Sequence, residues 1–550
     1  MLMVALQKTR DKFINICFTK NIIFTHLLVL LFLFFGTIGI LNHEMWRDEL
    51  QAWMIAKDSS SMIELFNNLR YEGHPGLWHS CLYVITRFTD NPVAMQIFHL
   101  LIATGVIYVF INFSPFTSFH KILFTFSYFP FYEYSIISRS YNLGILLIFS
   151  FCALYPKRNQ GYLILSAIIF LLANTSIYGW IIAISLAMAL ALDAWMNQNL
   201  ISLFHLKKWN IIISLTLLSL GIVIAAFQMI PPADAGFTGE QIIATSTSSE
   251  VVPAPIIKRL LLTFIVIWKS YITIPNFFEY RFWNTNIFIE NPIFLSNISG
   301  VLGLFAFVFS LILLLISTAL FVRKPVVLFL YLSGTCGILL LCYSKYLGYL
   351  RHHGNLFILF LACLWIANFY RQSNFLSESL TQIVSFFYQR RHQYLTVILL
   401  IHVVAGIFAY TRDLNDPFSA SKEVAAFIET QGFKESLIIG TKDFAVSPIA
   451  GLLNKKIYYP ESESFGSFIV WKKRPDFQSK DLLGKVNQVL IKTNRNQALL
   501  ILSSRLKTQN PDLSISELFQ SSQSIVSDET YHLYLVQRKL VNKSPAVGSD

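Results

Sequence analysis

The chain has 550 residues; 54% are hydrophobic and only 13% are Asp, Glu, Lys or Arg, about half the charged share usual in soluble domains. The apolar residues come in long blocks, which excludes an intrinsically disordered chain, a secreted disulfide scaffold and a simple cytosolic enzyme, and marks a polytopic membrane protein. The net charge of +12, from 43 basic against 31 acidic residues, fits Lys and Arg gathered in cytoplasmic loops, and no zinc finger, RNA-binding signature or long basic run points to nucleic acid.

The first block of spanning length is Asn21–Leu41. Lys8, Arg10, Lys12 and Lys20 precede it and no small-residue cleavage site follows, so it reads as an uncleaved anchor with its N-terminal side in the cytoplasm. Next comes a polar stretch, Asn42–Asn91, opening on His43–Trp53 (HEMWRDELQAW). As a helix, this segment puts Trp46, Leu50 and Trp53 on one apolar face and Glu44, Asp48 and Gln51 on the other, with Glu49 at the border. Tryptophans favour the membrane–water boundary, so the helix is expected on or in that interface, aiming carboxylates toward a cavity. Ser61–Glu64 reads as a capping box starting a second short helix. A turn follows at Glu72-Gly73-His74-Pro75-Gly76, and apolar periodicity resumes from Leu77.

Further candidate spans are Pro92–Phe113, Phe119–Ile137, Tyr141–Tyr155, Gly161–Thr175, Ile177–Met196, Trp209–Ile230, Ile298–Val322, Pro325–Tyr346, Gly354–Phe369 and Tyr394–Tyr410. Lys258–Pro275 is ambiguous: lying along the surface it leaves eleven crossings, and spanning it makes twelve. Eleven puts Lys157-Arg158, Lys207-Lys208, Arg323-Lys324 and Arg390-Arg391 all in the cytoplasm, as the positive-inside rule prefers. The outer face then receives Asn42–Asn91, the turn Glu133–Ser140, the long loop Pro231–Asn297, the turn Leu347–His353 and everything after Arg412. The long loop, with Asp234, Gly236, Gly239, Glu240 and the Ser/Thr-rich run Thr245–Glu250, is either a lid or a connector.

After Tyr410 charge rises and apolar runs shorten to strand length: Ser436–Gly440, Lys456–Tyr459, Ala498–Leu502 and His532–Val536. Helix-like stretches, Ser419–Thr430 and Lys480–Lys492, alternate with them. Residues 413–540 are expected to form an outer α/β domain of about 125 residues, followed by a frayed polar tail, 541–550. The fold class is thus mainly α, about eleven transmembrane helices plus a small C-terminal α/β domain. The cysteines, Cys17, Cys81, Cys152, Cys336, Cys342 and Cys363, form no CxxC pair and read as small buried hydrophobes.

Four segments carry a resemblance: WRDE at Trp46–Glu49, YEGHP at Tyr71–Pro75, YEYSIISRSY at Tyr132–Tyr141 and LRHHG at Leu350–Gly354. An Asp-Glu pair just after the first crossing, followed by a His-Pro element, resembles the GT-C class of membrane glycosyltransferases. That class includes the protein O-mannosyltransferases, the aminoarabinose transferases and related sugar transferases of the bacterial envelope, and the pattern is most similar to uncharacterised bacterial members. The resemblance covers most of the membrane part. It implies transfer of a sugar from a polyprenyl-phosphate donor to a lipid, glycan or protein acceptor at the outer face of the bacterial cytoplasmic (inner) membrane. By the same resemblance Asp48 is the catalytic base and Glu49 its structural or metal-holding neighbour. Read from the residues alone, a carboxylate in a partly dry cavity can hold a divalent metal, a candidate cofactor whose site His43 and His74 could join.

A departing phosphate needs cations, and guanidinium groups bind phosphate oxygens in a fork. Two arginines, Arg139 and Arg351, stand on the expected outer side, where the positive-inside bias does not explain them, with Tyr141, His352 and His353 beside them. Glu44, Glu72, His74 and Glu133 are supporting candidates, though Glu133 and Arg139 could instead pair with each other. Lys258, Arg259 and Lys269 are secondary phosphate candidates, and Asn174, Thr175 and Tyr178 are weaker ones for the cavity wall. The competing readings are a secondary transporter, which would show matched halves and midplane charges, and a non-catalytic membrane scaffold.

Overall fold

A computed structural model describes residues 2–196, 208–236, 256–287, 301–373, 377–472 and 481–539. The polar tail 541–550, Lys207, Gly239, Glu240, the run Thr245–Glu250 and Lys480 lie outside the described residues.

The chain is mainly helical. In order come α1 (Leu2–Asn42), three short helices α2 (Arg47–Asp58), α3 (Met62–Leu69) and α4 (Leu77–Thr86), then α5 (Val93–Phe113), α6 (Ser118–Thr125), α7 (Tyr141–Leu154), α8 (Tyr162–Ala173), α9 (Ile177–Met196) and α10 (Lys208–Met229). They continue as α11 (Ile256–Tyr271), α12 (Val301–Phe321), α13 (Pro325–Ser344), α14 (Leu350–Ile366), α15 (Glu378–Gln389) and α16 (Arg391–Asn415). Eight of these carry a stretch long and apolar enough to cross a membrane: Ile22–Asn42, Val93–Phe113, Ile177–Met196, Trp209–Met229, Gly303–Phe321, Pro325–Ser344, Leu350–Phe369 and Arg391–Asn415.

Three expected crossings are not continuous helices of that length. The block Phe119–Ile137 is α6 followed by a π-helical turn, Tyr128–Glu133. Pro130 within that turn has no N–H to give, so the regular ladder cannot run through it. Helices α7 and α8 have 14 and 12 residues. The ambiguous block forms α11, which neither lies across the helix ends nor runs from one end of the bundle to the other. Arg259 near its start donates to the carbonyl of Tyr343 at the end of α13. Tyr271 at its end meets Tyr331 (3.1 Å) and accepts from His402 (3.1 Å) in the middle of α16. The chain then turns back, and Trp283 returns to pack on Trp46.

Contacts between helix ends fall into two sets. In one, His43 just past α1 meets Asp413 near the end of α16 at 2.8 Å, Arg139 before α7 meets Asp48, and Gln228 near the end of α10 accepts from Gly76 N at 2.8 Å. In the other, His120 in α6 meets Thr396 near the start of α16 at 2.9 Å, and Tyr155 after α7 meets Tyr370 after α14. In that second set Arg158 Nε also donates to the fully buried Asp193 of α9 at 2.5 Å, with Tyr370 Oη on the same carboxylate at 2.6 Å. Removing one member of a buried ion pair strands the other charge. Asp193→Asn is therefore expected to cost on the order of 2–3 kcal/mol, discounted because the guanidinium is partly exposed. Thermal unfolding in detergent should show the loss, with any activity per folded molecule unchanged.

After α16 come α17 (Ser421–Thr430), β1 (Ile438–Gly440), α18 (Asp443–Leu453), β2 (Ile457–Tyr459), β3 (Ser464–Gly466), α19 (Leu482–Lys492), β4 (Gln497–Leu502), β5 (Leu513–Gln520) and β6 (His532–Arg538). The six strands make one sheet, in the order β3-β2-β1-β4-β6-β5. Strand β1 is parallel to β2 and β4 and the other pairs are antiparallel. Ile438, Leu499 and Leu533 face one core with α17 and α18, while Ile439, Leu500 and Tyr534 face the other with α19, as the two-residue side-chain period of a strand requires.

This sheet domain docks on α2. Gly451 of α18 leaves room for Met54 and Leu50, which lie 3.4 and 3.5 Å from where a Cβ would stand. Gln51 clasps Ile469, accepting from its N–H at 2.9 Å and donating to its carbonyl at 2.7 Å. Arg47 pairs with Asp528 at 2.6 Å.

Candidate functional site

The segment expected to be helical from His43 starts its helix only at Arg47. Glu49 sets that boundary: its Oε2 accepts the N–H of Trp46 at 3.2 Å and meets His43 Nε2 at 3.0 Å, a carboxylate capping the orphan donors of a helix start. Glu44 therefore does not share a helix face with Asp48. Trp46 and Trp53 are buried in protein, Trp53 within a cluster with Leu65, Trp78 and Leu82 of α3 and α4.

Asp48, in the first turn of α2, faces two guanidinium groups. Its Oδ2 lies 3.1 Å from Nη1 of Arg139 and 3.2 Å from Nη2 of Arg351, and its side chain stays 27% exposed. Arg139 also donates to the carbonyl of Asp48 at 2.9 Å. Burial pushes the Asp48 carboxyl up, but Arg139, Arg351 and Arg47, with a smaller pull from His74, overcome this and hold it below its ordinary value. The α2, α7 and α14 stretches, far apart in sequence, thus meet at one carboxylate.

Each arginine is aimed by its local backbone. Ser138, the residue before Arg139, donates its N–H to Glu49 Oε1 at 2.6 Å. Arg351 opens α14, and its carbonyl accepts from Tyr134 Oη at 2.6 Å. Gly354 permits that approach, because a Cβ there would meet Tyr134 Oη at 2.4 Å. The Arg351 guanidinium is ringed by Tyr349, Trp46 and Trp283, whose centroids lie 4.9, 5.2 and 5.3 Å away. Glu133 does not pair with Arg139; it accepts from Tyr128 Oη at 2.9 Å and Trp283 Nε1 at 3.0 Å, joining the wall behind Arg351.

The turn Glu72–Gly76 contributes two groups. Glu72 accepts from Gln51 at 2.8 Å, and burial pushes its carboxyl up to about 7 despite Gln51 and Arg139. His74 is pushed down to about 4 by burial and by Arg139, so it is neutral. Its Nδ1 is buried without a partner among the described residues, as are Tyr141 Oη, Tyr178 Oη, Ser138 Oγ and Arg351 Nε. Such atoms cost free energy unless something bonds them, and those of Tyr141, Tyr178 and His74 lie within electrostatic reach of Arg351.

His352 accepts the N–H of Tyr349 on Nδ1 at 2.8 Å and stacks on Tyr178, centroids 5.4 Å apart, with Tyr141 edge-on at 5.7 Å. Gly348, at φ 81°, makes the tight entry; a Cβ there would stand 3.2 Å from His352 and Tyr178. His353 turns to the Leu347 carbonyl at 2.9 Å. The weaker candidates have other partners: Asn174 donates to Phe170 and accepts from Gln228, Thr175 donates to Leu172 and Arg259 to Tyr343, while Lys258 is exposed. Lys269 lies near the end of α11.

The donor set does not fit a metal. Asp48 is taken by two arginines, Glu49 by His43 and two backbone amides, and both His43 nitrogens by carboxylates. Among the described residues no group of three or more His, Cys, Asp or Glu side chains is arranged to hold an ion.

Groups outside the expected set belong here too: Trp283 in the long loop, Asp413 behind His43, and Ile469 with Trp471 over Gln51 and Glu72. The aromatic-rich run Phe277–Trp283 in the long loop and an acid closing the last apolar block were the available signals for the first two. Nothing local marks Ile469. Comparison with known proteins finds no matching family model, and no curated protein matches.

Proposed function

We propose that the chain is a membrane glycosyltransferase of GT-C type, moving a sugar from a polyprenyl-phosphate donor to an acceptor hydroxyl at the outer face, with Asp48 as base. The observation that carries the reading is the carboxylate held between two guanidinium groups inside a wall of unpartnered polar atoms. Asp48 sits in the fork of the two guanidinium groups. An entering donor phosphate competes for Arg139 and Arg351 and releases Asp48 toward the acceptor. The acceptor oxygen then bonds to the anomeric carbon, its proton passes to Asp48, and the carbon–oxygen bond to phosphate breaks with the electron pair leaving on polyprenyl phosphate, which the arginines hold. The aromatic ring around Arg351 keeps that guanidinium in place through the exchange. Purified protein given a labelled prenyl-phosphate sugar should transfer or hydrolyse it; absence of turnover with a panel of such donors would sink the proposal.

The pH profile separates the two carboxylates. A base must be deprotonated, and Asp48 lies below its ordinary value of about 3.9. Because kcat/KM reports the free enzyme, it is expected to stay flat from about pH 5.5 to 8. A loss on acidification with an apparent pKa near 7 would transfer the role of base to Glu72.

The proposal includes eleven crossings in a bacterial cytoplasmic membrane, N-terminus inside and sheet domain outside. Parity supports it. The first and last spans end together, at His43 and Asp413, which favours an odd number of crossings, and the eight long spans then need an odd complement. The stretch from α6 to Ile137 runs from the Thr396 level to the Asp48 level, and α7 and α8 supply the other two. Helix α11 enters and returns, which is tolerated where backbone is buried in protein. A reporter active only outside the cytoplasm should work when fused after Arg412; activity only inside would overturn this topology.

A further inference from the structure

A hollow of about 420 Å³ lies between the end of α1, the start of α5 and the helices of the sheet domain, and it is separate from the Asp48 cluster. His43 stands between them, lining the hollow while its ring bonds Glu49 on the far side. The depth of the hollow is set by two spans: Leu41 is next to last in Ile22–Asn42, and Val93 is first in Val93–Phe113. Both are partly exposed, at 65% and 36%. The hollow is therefore at headgroup level and opens sideways past apolar side chains. Its polar wall is mixed in sign: Glu44 and Asp90 are acidic and Lys422 is basic. Glu44 Oε2 is buried with no partner among the described residues. Burial raises the Glu44 carboxyl to about 7, against the pull of Lys422 and His43, as for an acid awaiting a cation.

We propose that this hollow binds the headgroup of a zwitterionic phospholipid bearing a primary ammonium, with Glu44 and Asp90 receiving the ammonium, Lys422 the phosphate, and the acyl chains running past Leu41 and Val93. A primary ammonium donates hydrogen bonds to carboxylates; a choline headgroup cannot. The lipid would mortise the sheet domain to the membrane part, because α1 and α5 line one side and α17 and α18 the other. The proposal stands independently of the sugar-transfer reading.

The test uses the full chain in detergent, a photoreactive phosphatidylethanolamine, and mass spectrometry of the labelled peptides. Labelling is expected in 40–45, 90–96 and 451–454, competed by unlabelled phosphatidylethanolamine and about tenfold less by phosphatidylcholine, the size of one charge-assisted hydrogen bond. Glu44→Gln should erase that preference while labelling by a photoreactive phosphatidylcholine is unchanged. Asp90→Asn, at the exposed rim, serves if Glu44→Gln does not elute as a folded monodisperse species, and should weaken the preference. Equal competition by the two lipids, a preference that survives both substitutions, or labelling elsewhere would overturn the site. Soluble glycerophosphoethanolamine competing as well as the diacyl lipid would show that only a headgroup is read and overturn the lipid assignment.

Discussion

Asp48→Asn is expected to lower turnover by roughly 10²–10⁴-fold, the usual contribution of a positioned base, and at the same time to tighten binding of polyprenyl phosphate. The second half follows from the fork. In the resting protein Asp48 is the anion that Arg139 and Arg351 hold, and a phosphate must displace it. Asparagine keeps the shape and removes the competitor, so the guanidinium groups meet the phosphate unopposed. Binding of a labelled polyprenyl phosphate, measured beside turnover, checks both. A purely structural Asp48 would give a different result: a lower unfolding temperature, with turnover per folded molecule kept. Parent-like turnover would remove Asp48 from the chemistry. Arg351→Lys is not expected to behave as the parent, because an ammonium lacks the planar fork and the face that stacks on Trp46 and Trp283.

The polytopic class was legible from composition, and eight of the expected crossings coincide with long apolar helices. What escaped were local breaks. Pro130 and the aromatic run around it look continuous on a hydropathy scale, yet the backbone turns there. In the sheet domain the four hydrophobic strands stood out, whereas β5, an edge strand reading LSISELFQ with a mostly exposed pattern, lacks the apolar run that marks a strand. Helix α18 carries Pro448 and Gly451, residues that read as breakers. There they serve tight burial, Gly451 as the seat for Met54 and Leu50.

At the site, residue types were readable and pairings were not. Arg139 and Arg351 stood out because the positive-inside bias left them unexplained on the face expected to be outer. That both would close on Asp48, leaving Glu133 to Tyr128 and Trp283, depends on how α14 and the turn before α7 are held, by Gly354 and by Ser138. The separation of Asp48 from Glu49 was hidden for a similar reason. Adjacent residues on a helix point about 100° apart, and the partners that draw one toward the arginines and the other inward come from elsewhere in the chain.

The inward partner carries the second large effect. His43 bridges Glu49 and Asp413 at 3.0 and 2.8 Å, with all three side chains buried. Burial pulls the imidazole down, but Asp413 and Glu49 raise it to about 10, so it is a cation at neutral pH, set between two carboxyl groups. His43→Ala leaves two buried carboxylates facing a gap and is expected to cost about 3–5 kcal/mol, read from chemical unfolding in detergent. The sign of the pH dependence follows from the raised value: the stabilisation is complete below the unfolded value of 6.5 and is lost as pH rises through about 10. The difference in stability between parent and His43→Ala should therefore shrink across that window. Because Glu49 also holds Ser138 beside Arg139 and caps the helix of Asp48, the fraction that remains folded should have lower turnover as well. A variant with parent stability and a pH-independent difference would show that the ring merely fills space, and Glu49 would then owe its position to the backbone amides alone.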